Sequence, residues 1–185
     1  RLQGDWSSDV CSSDLYFYNS DGSSAEMCGN AVRCAHRFIQ SKFSGGEMVS
    51  IQTLSGKVTS VYKDQKFHVQ MTTPKEQNEL KLNSSFFKSE SDFEVFKTVA
   101  LVDSYFVDTG VPHLVIPVTD WAAAQTLKTV WLYLRNHSHF AKGTNVTLVQ
   151  NQNDGVTKAI SFERGVDDFT QACGTGATAA AMYIK

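Results

Sequence analysis

Two segments of this chain repeat one pattern, and the repeat limits what the chain can fold into. The first is Glu26-Met27-Cys28-Gly29-Asn30-Ala31-Val32-Arg33-Cys34-Ala35, the second Gln171-Ala172-Cys173-Gly174-Thr175-Gly176-Ala177-Thr178-Ala179-Ala180. Each has a Cys, then a Gly, then a run able to form a helix. Each Cys is therefore expected where a loop turns into a helix N-terminus, with Gly allowing close backbone approach. Such a terminus carries unpaired N–H groups and partial positive charge, so it binds anions and favours thiolate over thiol. The Cys28-to-Cys173 spacing, 145 residues, fits a duplicated domain rather than a solenoid repeat.

Composition narrows the function classes. The 185 residues suffice for one large or two small domains with a core. A charge of −2 gives no sign of nucleic-acid or membrane-surface binding, and no run approaches the ~18 apolar residues of a membrane span. Four cysteines fit a cytoplasmic protein with functional thiols better than a disulfide scaffold. No metal site is expected, because Cys28 and Cys34 lack the paired spacing of zinc ligands.

Along the chain, residues 1–15 are Ser- and Asp-rich and show neither helical nor strand period. Gly4 to Leu15 resembles translated adapter sequence joined to a broken reading frame, so this leader and Cys11 are set aside as non-native. Tyr16-Phe17-Tyr18 reads as a strand and residues 19–22 as a turn. Ala31, Cys34, Ala35, Phe38 and Ile39 form the apolar stripe of a helix ending near residues 44–46, which places Cys34 in the core. Strands are expected at 49–53, 58–62 and 67–71, the last two joined by a hairpin at 63–66.

Residues 74–95 are polar and read as a linker, giving halves 16–95 and 96–185. Strands follow at 105–107 and 114–118, flanking Asp108 to His113. Asp120 is suited to cap a helix from Trp121 to about Leu134. Residues 146–150 and 158–162 pair around Asn153-Asp154-Gly155. A helix from Gly176 to Ile184 is small and apolar on all sides, so it is expected to be buried all round. No stop signal closes it, and the chain reads as cut off mid-structure. The fold class is α+β: two pseudo-symmetric halves, each a mixed or antiparallel sheet wrapped around a central helix that starts at a Cys-Gly motif.

Two such thiols suit one kind of chemistry. Inverting an amino-acid α-carbon removes a proton on one face and returns it on the other, which needs two acid/base groups. Cys28 and Cys173, facing each other across a cleft, would serve as thiolate and thiol, with the helix N-termini binding the carboxylate. No pyridoxal lysine motif or dinucleotide loop is apparent, so no cofactor is expected.

Asn19-Ser20-Asp21-Gly22 with Glu26-Met27-Cys28-Gly29-Asn30 resembles the first signature of the diaminopimelate epimerase family. Phe162-Glu163-Arg164-Gly165 followed by Gln171-Ala172-Cys173-Gly174-Thr175-Gly176-Ala177 resembles its second. The likeness covers about residues 16–185, as the middle of a family member. It implies cofactor-independent epimerisation of LL-2,6-diaminopimelate to the meso form, in lysine and peptidoglycan precursor synthesis. Cys28 then corresponds to the proton donor and Cys173 to the acceptor in the LL-to-meso direction. Asn19, Gly29, Asn30, Asn145, Glu163, Arg164, Gly174 and Thr175 match substrate-binding positions, and His113 and Glu163 match positions that tune thiol ionisation. Val111 departs from the family, which often has Asn or another polar residue there. A homodimer is implied for the full-length protein.

Other readings stay beside this one. They are a racemase of the same fold acting on proline, hydroxyproline or another amino acid, a thiol redox protein, and an inactive truncated fragment or binding module. Asn30 after Cys28-Gly29 favours diaminopimelate, because proline racemases tend to have His there. His36, His137 and His139 read as surface residues.

Overall fold

The computed structural model describes residues 2–5, 11–19, 22–43, 46–152 and 154–184. The chain divides into two compact units, Arg1–Thr73 and Pro74–Lys185.

The first unit contains β1 (Leu2–Asp5), β2 (Cys11–Leu15), β3 (Phe17–Tyr18), β4 (Ser24–Ala25), α1 (Gly29–Phe43), β5 (Met48–Thr53), β6 (Gly56–Lys63) and β7 (Lys66–Gln70). Its main sheet runs β1-β2-β5-β6-β7, and β3 pairs with β4 separately. Strands β2 and β5 are parallel, and α1 lies in the crossover between them. Val32, Ala35 and Ile39 of α1 pack with Leu15, Met27, Val49, Ile51 and Val58. A fully buried residue such as Ile39 contributes about 1.5–3 kcal/mol through lost apolar exposure. Asp64 and Gln65, at φ 52° and 60°, make the two-residue turn between β6 and β7 at the expected place.

Three expectations change here. Leu2–Asp5 and Cys11–Leu15 are strands, although no period announced them; β2 pairs through its backbone with β1 and β5, and Leu15 at its end packs into the core. Arg1 and residues 6–10 of that leader lie outside the described residues. The buried face of α1 is Val32, Ala35, His36 and Ile39, so Cys34 and Phe38 are exposed rather than core. His36, expected at the surface, is fully buried. Its Nδ1 sits 2.8 Å from Ser60 Oγ and its ring meets Phe67 edge-on, so a polar partner and an aromatic neighbour offset its burial.

The second unit contains β8 (Lys75–Lys81), a 3-10 turn (Ser84–Phe86), α2 (Glu90–Val99), β9 (Asp103–Asp108), β10 (Pro112–Pro117), α3 (Trp121–Thr126), α4 (Lys128–Arg135), β11 (Asn145–Asn151), β12 (Thr157–Phe162), β13 (Phe169–Thr170) and α5 (Gly174–Ile184). They form one sheet, β13-β12-β11-β10-β9-β8. Only β10 and β11 pair in parallel among its described strands, joined through α3 and α4.

The expected linker 74–95 is instead an edge strand, a turn and the start of a helix, so these residues join the second unit rather than the first. The polar composition of β8 reflects its edge position, where exposed charge is tolerated. A capping signal was present for α2: Ser89 Oγ accepts from Asp92 N at 3.1 Å, and Asp92 Oδ2 accepts from Ser89 Oγ at 2.9 Å. The helix expected from Trp121 breaks at Leu127 into α3 and α4, with Asp120 Oδ1 accepting from Ala123 N at 2.9 Å as the cap.

Every residue of β10 is buried, because both faces of the sheet are covered. Leu114, Ile116, Val146, Leu148 and Phe162 pack on one side with Phe96, Trp131 and Leu134. Val107, Val115 and Val149 pack on the other with Ala179 and Ala180 of α5. The face of α5 bearing Ala177 and Ala181 is exposed, so this helix is buried along one side rather than all round. Among the described residues, no helix is long and apolar enough to cross a membrane.

Candidate functional site

Both cysteines open a helix in the same way. Cys28 O accepts from Val32 N at 3.0 Å, and Cys173 O accepts from Ala177 N at 2.9 Å. Gly29 and Gly174 are the first residues of α1 and α5. Both thiols are partly buried and free.

In the first unit, Glu26 O accepts from Ser55 N at 3.1 Å, tying the segment before Cys28 to the β5–β6 turn. Asn19 closes its turn with Nδ2 donating to Ser23 Oγ at 2.9 Å. Asn30 Oδ1 accepts from Arg33 Nη2, and Gly29 is buried.

The second unit gathers the rest. Cys173 Sγ accepts from Gly176 N at 3.3 Å, the bond that a helix-capping side chain makes. Thr175 Oγ1 lies 3.3 Å from the sulfur and 2.9 Å from His113 Nε2. His113 Nδ1 lies 2.8 Å from Thr147 Oγ1, which lies 2.9 Å from Ser161 Oγ. Thr109 Oγ1 donates to Thr175 O at 3.0 Å and pins the helix start to the β9–β10 turn. Val111 is buried in that turn.

Asn145, Glu163 and Arg164 are linked to this cluster. Asn145 Oδ1 accepts from Arg164 N at 2.8 Å, while its Nδ2 lies 3.3 Å from His113 Nε2. Arg164 Nη1 donates to Lys142 O at 2.7 Å. Glu163 Oε1 accepts from Thr170 Oγ1, fixing the carboxylate.

Electrostatics differ from the simple picture of a helix-activated thiol. Burial pushes the Cys173 thiol above its ordinary value, and the Glu163 carboxylate adds to this. Hydrogen bonds from Thr175, Gly176 and Ser161 pull the other way without prevailing. Cys173 therefore rests as a thiol. Burial lowers His113 to about 3, helped by the Arg164 charge, so its ring is neutral across the physiological range.

Thr147 and Ser161 were not singled out from sequence. Their signal is a polar residue inside an apolar strand, Val146-Thr147-Leu148 and Ile160-Ser161-Phe162. On a sheet covered on both faces such a hydroxyl must be buried, so it needs a partner. Among the described residues, no group of three or more His, Cys, Asp or Glu side chains could hold a metal ion.

The diaminopimelate epimerase family profile matches residues 7–76 and 105–185. A diaminopimelate epimerase of Aquifex aeolicus is 41% identical over 174 residues, covering 91% of this chain and 57% of that protein. One from Chlamydia trachomatis serovar L2 is 36% identical over 183 residues, covering 95% and 60%. The chain thus spans somewhat over half the length of these relatives. Among solved structures, a probable proline racemase from Agrobacterium radiobacter K84 superposes with TM-score 0.65 at 13% identity, covering 99% of this chain and 59% of that one. A PhzF-family phenazine biosynthesis protein of Bacillus anthracis gives 0.61 at 10%, covering 92% and 60%. These two share the fold. With its sequence likeness spread over both Cys-Gly segments, the chain belongs to the diaminopimelate epimerase family.

Proposed function

We propose that this chain carries the two acid/base thiols, Cys28 and Cys173, of a cofactor-independent epimerase that converts LL-2,6-diaminopimelate to the meso form. The observation that carries the reading is the matched placement of the two cysteines, each opening a helix with its own carbonyl bonded to the fourth residue on. Family membership supports diaminopimelate as the substrate. The same membership supports a place in lysine and peptidoglycan precursor synthesis, and it carries the expectation of a cytoplasmic homodimer.

In the LL-to-meso direction the Cys173 thiolate takes the α-proton. The C–H electron pair moves into an enediolate, and Cys28 returns its thiol proton to the opposite face. The protein is left with a Cys28 thiolate and a Cys173 thiol, the state ready for the reverse reaction. Backbone N–H groups at the two helix starts suit the carboxylate and the charge that develops on it. Arg164 is suited to a second carboxylate and Glu163 to an ammonium group. Asn19, Gly29, Asn30, Asn145, Gly174 and Thr175 complete the proposed substrate contacts.

The resting state of Cys173 fits this scheme. Burial, and after it the Glu163 carboxylate, hold the thiol proton on the sulfur. A substrate ammonium pairing with Glu163 would offset that carboxylate and favour loss of the Cys173 proton to solvent as substrate binds.

Deuterium uptake at the α-carbon of LL-diaminopimelate in heavy water tests the reading in the full chain. Uptake with conversion to the meso isomer, lost in Cys28→Ala and in Cys173→Ala, is expected. Uptake with proline and none with diaminopimelate would assign a racemase. Near-normal turnover in either cysteine variant would overturn the two-thiol scheme.

A further inference from the structure

We propose that Arg135 is a positioning residue for Arg164, fixing through its ion pair with Asp167 the loop that carries Arg164. This deepens the proposed function and rests on Arg164 binding a substrate carboxylate.

The loop between β12 and β13, Glu163 to Asp168, has little of its own to hold it. Strand β13 is two residues long and pairs with β12 at Ser161–Thr170 and Phe162–Phe169. Inside the loop, Glu163 O accepts from Asp167 N at 3.0 Å, and Glu163 N donates to Asp168 O at 3.2 Å. Gly165 and Asp167 both lie in the left-handed region, at φ 76° and 56°. Glycine takes that conformation freely, but a residue with a β-carbon takes it at a cost, so Asp167 gains from a contact that holds it there.

Arg135 supplies that contact. As the last residue of α4 it places Nη2 2.7 Å from Asp167 Oδ1, and its side chain is only 12% exposed. Its Nε is buried and has no hydrogen-bond partner among the described residues. A guanidinium so withdrawn from water depends on its carboxylate, and removing that partner leaves its charge uncompensated. The neighbouring pair, Lys128 with Asp168, has the same 2.7 Å separation, but its side chains are 54% and 48% exposed, so it contributes little.

The same residue supports the other side of Arg164. Arg135 O accepts from Thr144 N at 3.0 Å, beside Asn145, whose Oδ1 accepts from Arg164 N. Arg164 Nη1 donates to Lys142 O, and a β-carbon on Gly143 would lie 3.3 Å from Arg135 O and 3.5 Å from Arg164 Cδ. The end of α4 thus holds Asp167 with its side chain and Thr144 with its carbonyl, and Arg164 is fixed between the two. The Glu163 carboxylate is held separately, by Thr170. Loss of the Arg135 charge therefore falls on Arg164 and not on the Glu163 charge beside Cys173.

Residue-resolved amide hydrogen exchange on the full chain, without substrate, tests this clamp. Arg135→Met keeps the stem and removes the charge. It should speed exchange at Arg164 and Asp167 about tenfold and leave α5 at the parent rate. Asp167→Asn should act in the same way, and combining the two should add nothing further. Lys128→Met should change neither amide. On diaminopimelate, Arg135→Met should raise KM about tenfold with little change in kcat, and Arg135→Lys should recover part of the loss. Iodoacetamide alkylation of Cys173, followed on its peptide by mass spectrometry against pH, should keep the parent profile. Unchanged exchange in a folded Arg135→Met, or a fall in kcat at constant KM, would overturn the assignment. A displaced Cys173 profile would do so too, since the effect would then pass through the thiol. A parent protein inert toward diaminopimelate, with the exchange results as expected, would sink the epimerase reading and leave the clamp standing.

Discussion

Ser161 Oγ occupies the space that a side chain on Gly176 would need, so strand β12 and the first turn of α5 meet where one residue has no β-carbon. Thr147 Oγ1 would lie 3.2 Å from that same β-carbon and Cys173 Cβ 3.3 Å, leaving it no free direction.

Gly176→Ala should therefore overpack this junction, lowering stability by about 1–3 kcal/mol in thermal unfolding. Adding Ser161→Ala to it should recover much of that stability, because it removes the atom that clashes. If the two substitutions are simply additive in a double-mutant cycle, the contact is not the cause.

Glu163→Gln should shift Cys173 ionisation to lower pH, because it removes the charge that opposes the thiolate and keeps an acceptor for Thr170. KM for diaminopimelate should rise about tenfold or more if Glu163 holds an ammonium group. The peptide-resolved alkylation profile reads the first effect and steady-state kinetics the second. An unmoved or upward ionisation midpoint would contradict the Coulombic account.

His113 should make the second unit acid-sensitive. Its folded value, about 3, lies below the ordinary value of 6.5. Between those limits the unfolded chain binds more protons, so stability rises with pH. The contribution is complete above about pH 6.5 and is lost as pH falls toward 3. His36, also lowered by burial, acts with the same sign in the first unit. Urea unfolding at a series of pH values should show a falling midpoint for the parent and a flatter dependence for His113→Asn. Equal slopes for the two would exclude His113 as the source.

Cys34→Ala should leave turnover unchanged and shift stability by no more than about 0.5 kcal/mol, because Cys34 is exposed on α1. Alkylation of the native protein should label Cys34. A Cys34 protected until unfolding would restore the core placement that its spacing suggested.

The sequence by itself determined the two Cys-Gly helix starts and most of the elements. Cys-Gly ahead of a helix-forming run is local chemistry, so the helix starts at Gly29 and Gly174 were legible, as were the β6–β7 hairpin and the Asp120 cap. The capping signal at Ser89 was equally local and was hidden only by the polar composition around it.

What tertiary structure decided is whatever depends on a second element. The buried face of α1 turned toward His36 and away from Cys34 because Ser60 and Phe67 of the sheet supply the partners that His36 needs. Strand β2 has no apolar period to read, since its place comes from backbone pairing with β1 and β5. Thr147 and Ser161 looked like ordinary strand residues. Only the stacking of α5 on β10, β11 and β12 buries their hydroxyls beside His113 and Cys173. Spacing along a chain can show which residues might share a face. Burial and the direction of a hydrogen bond depend on what packs against that face.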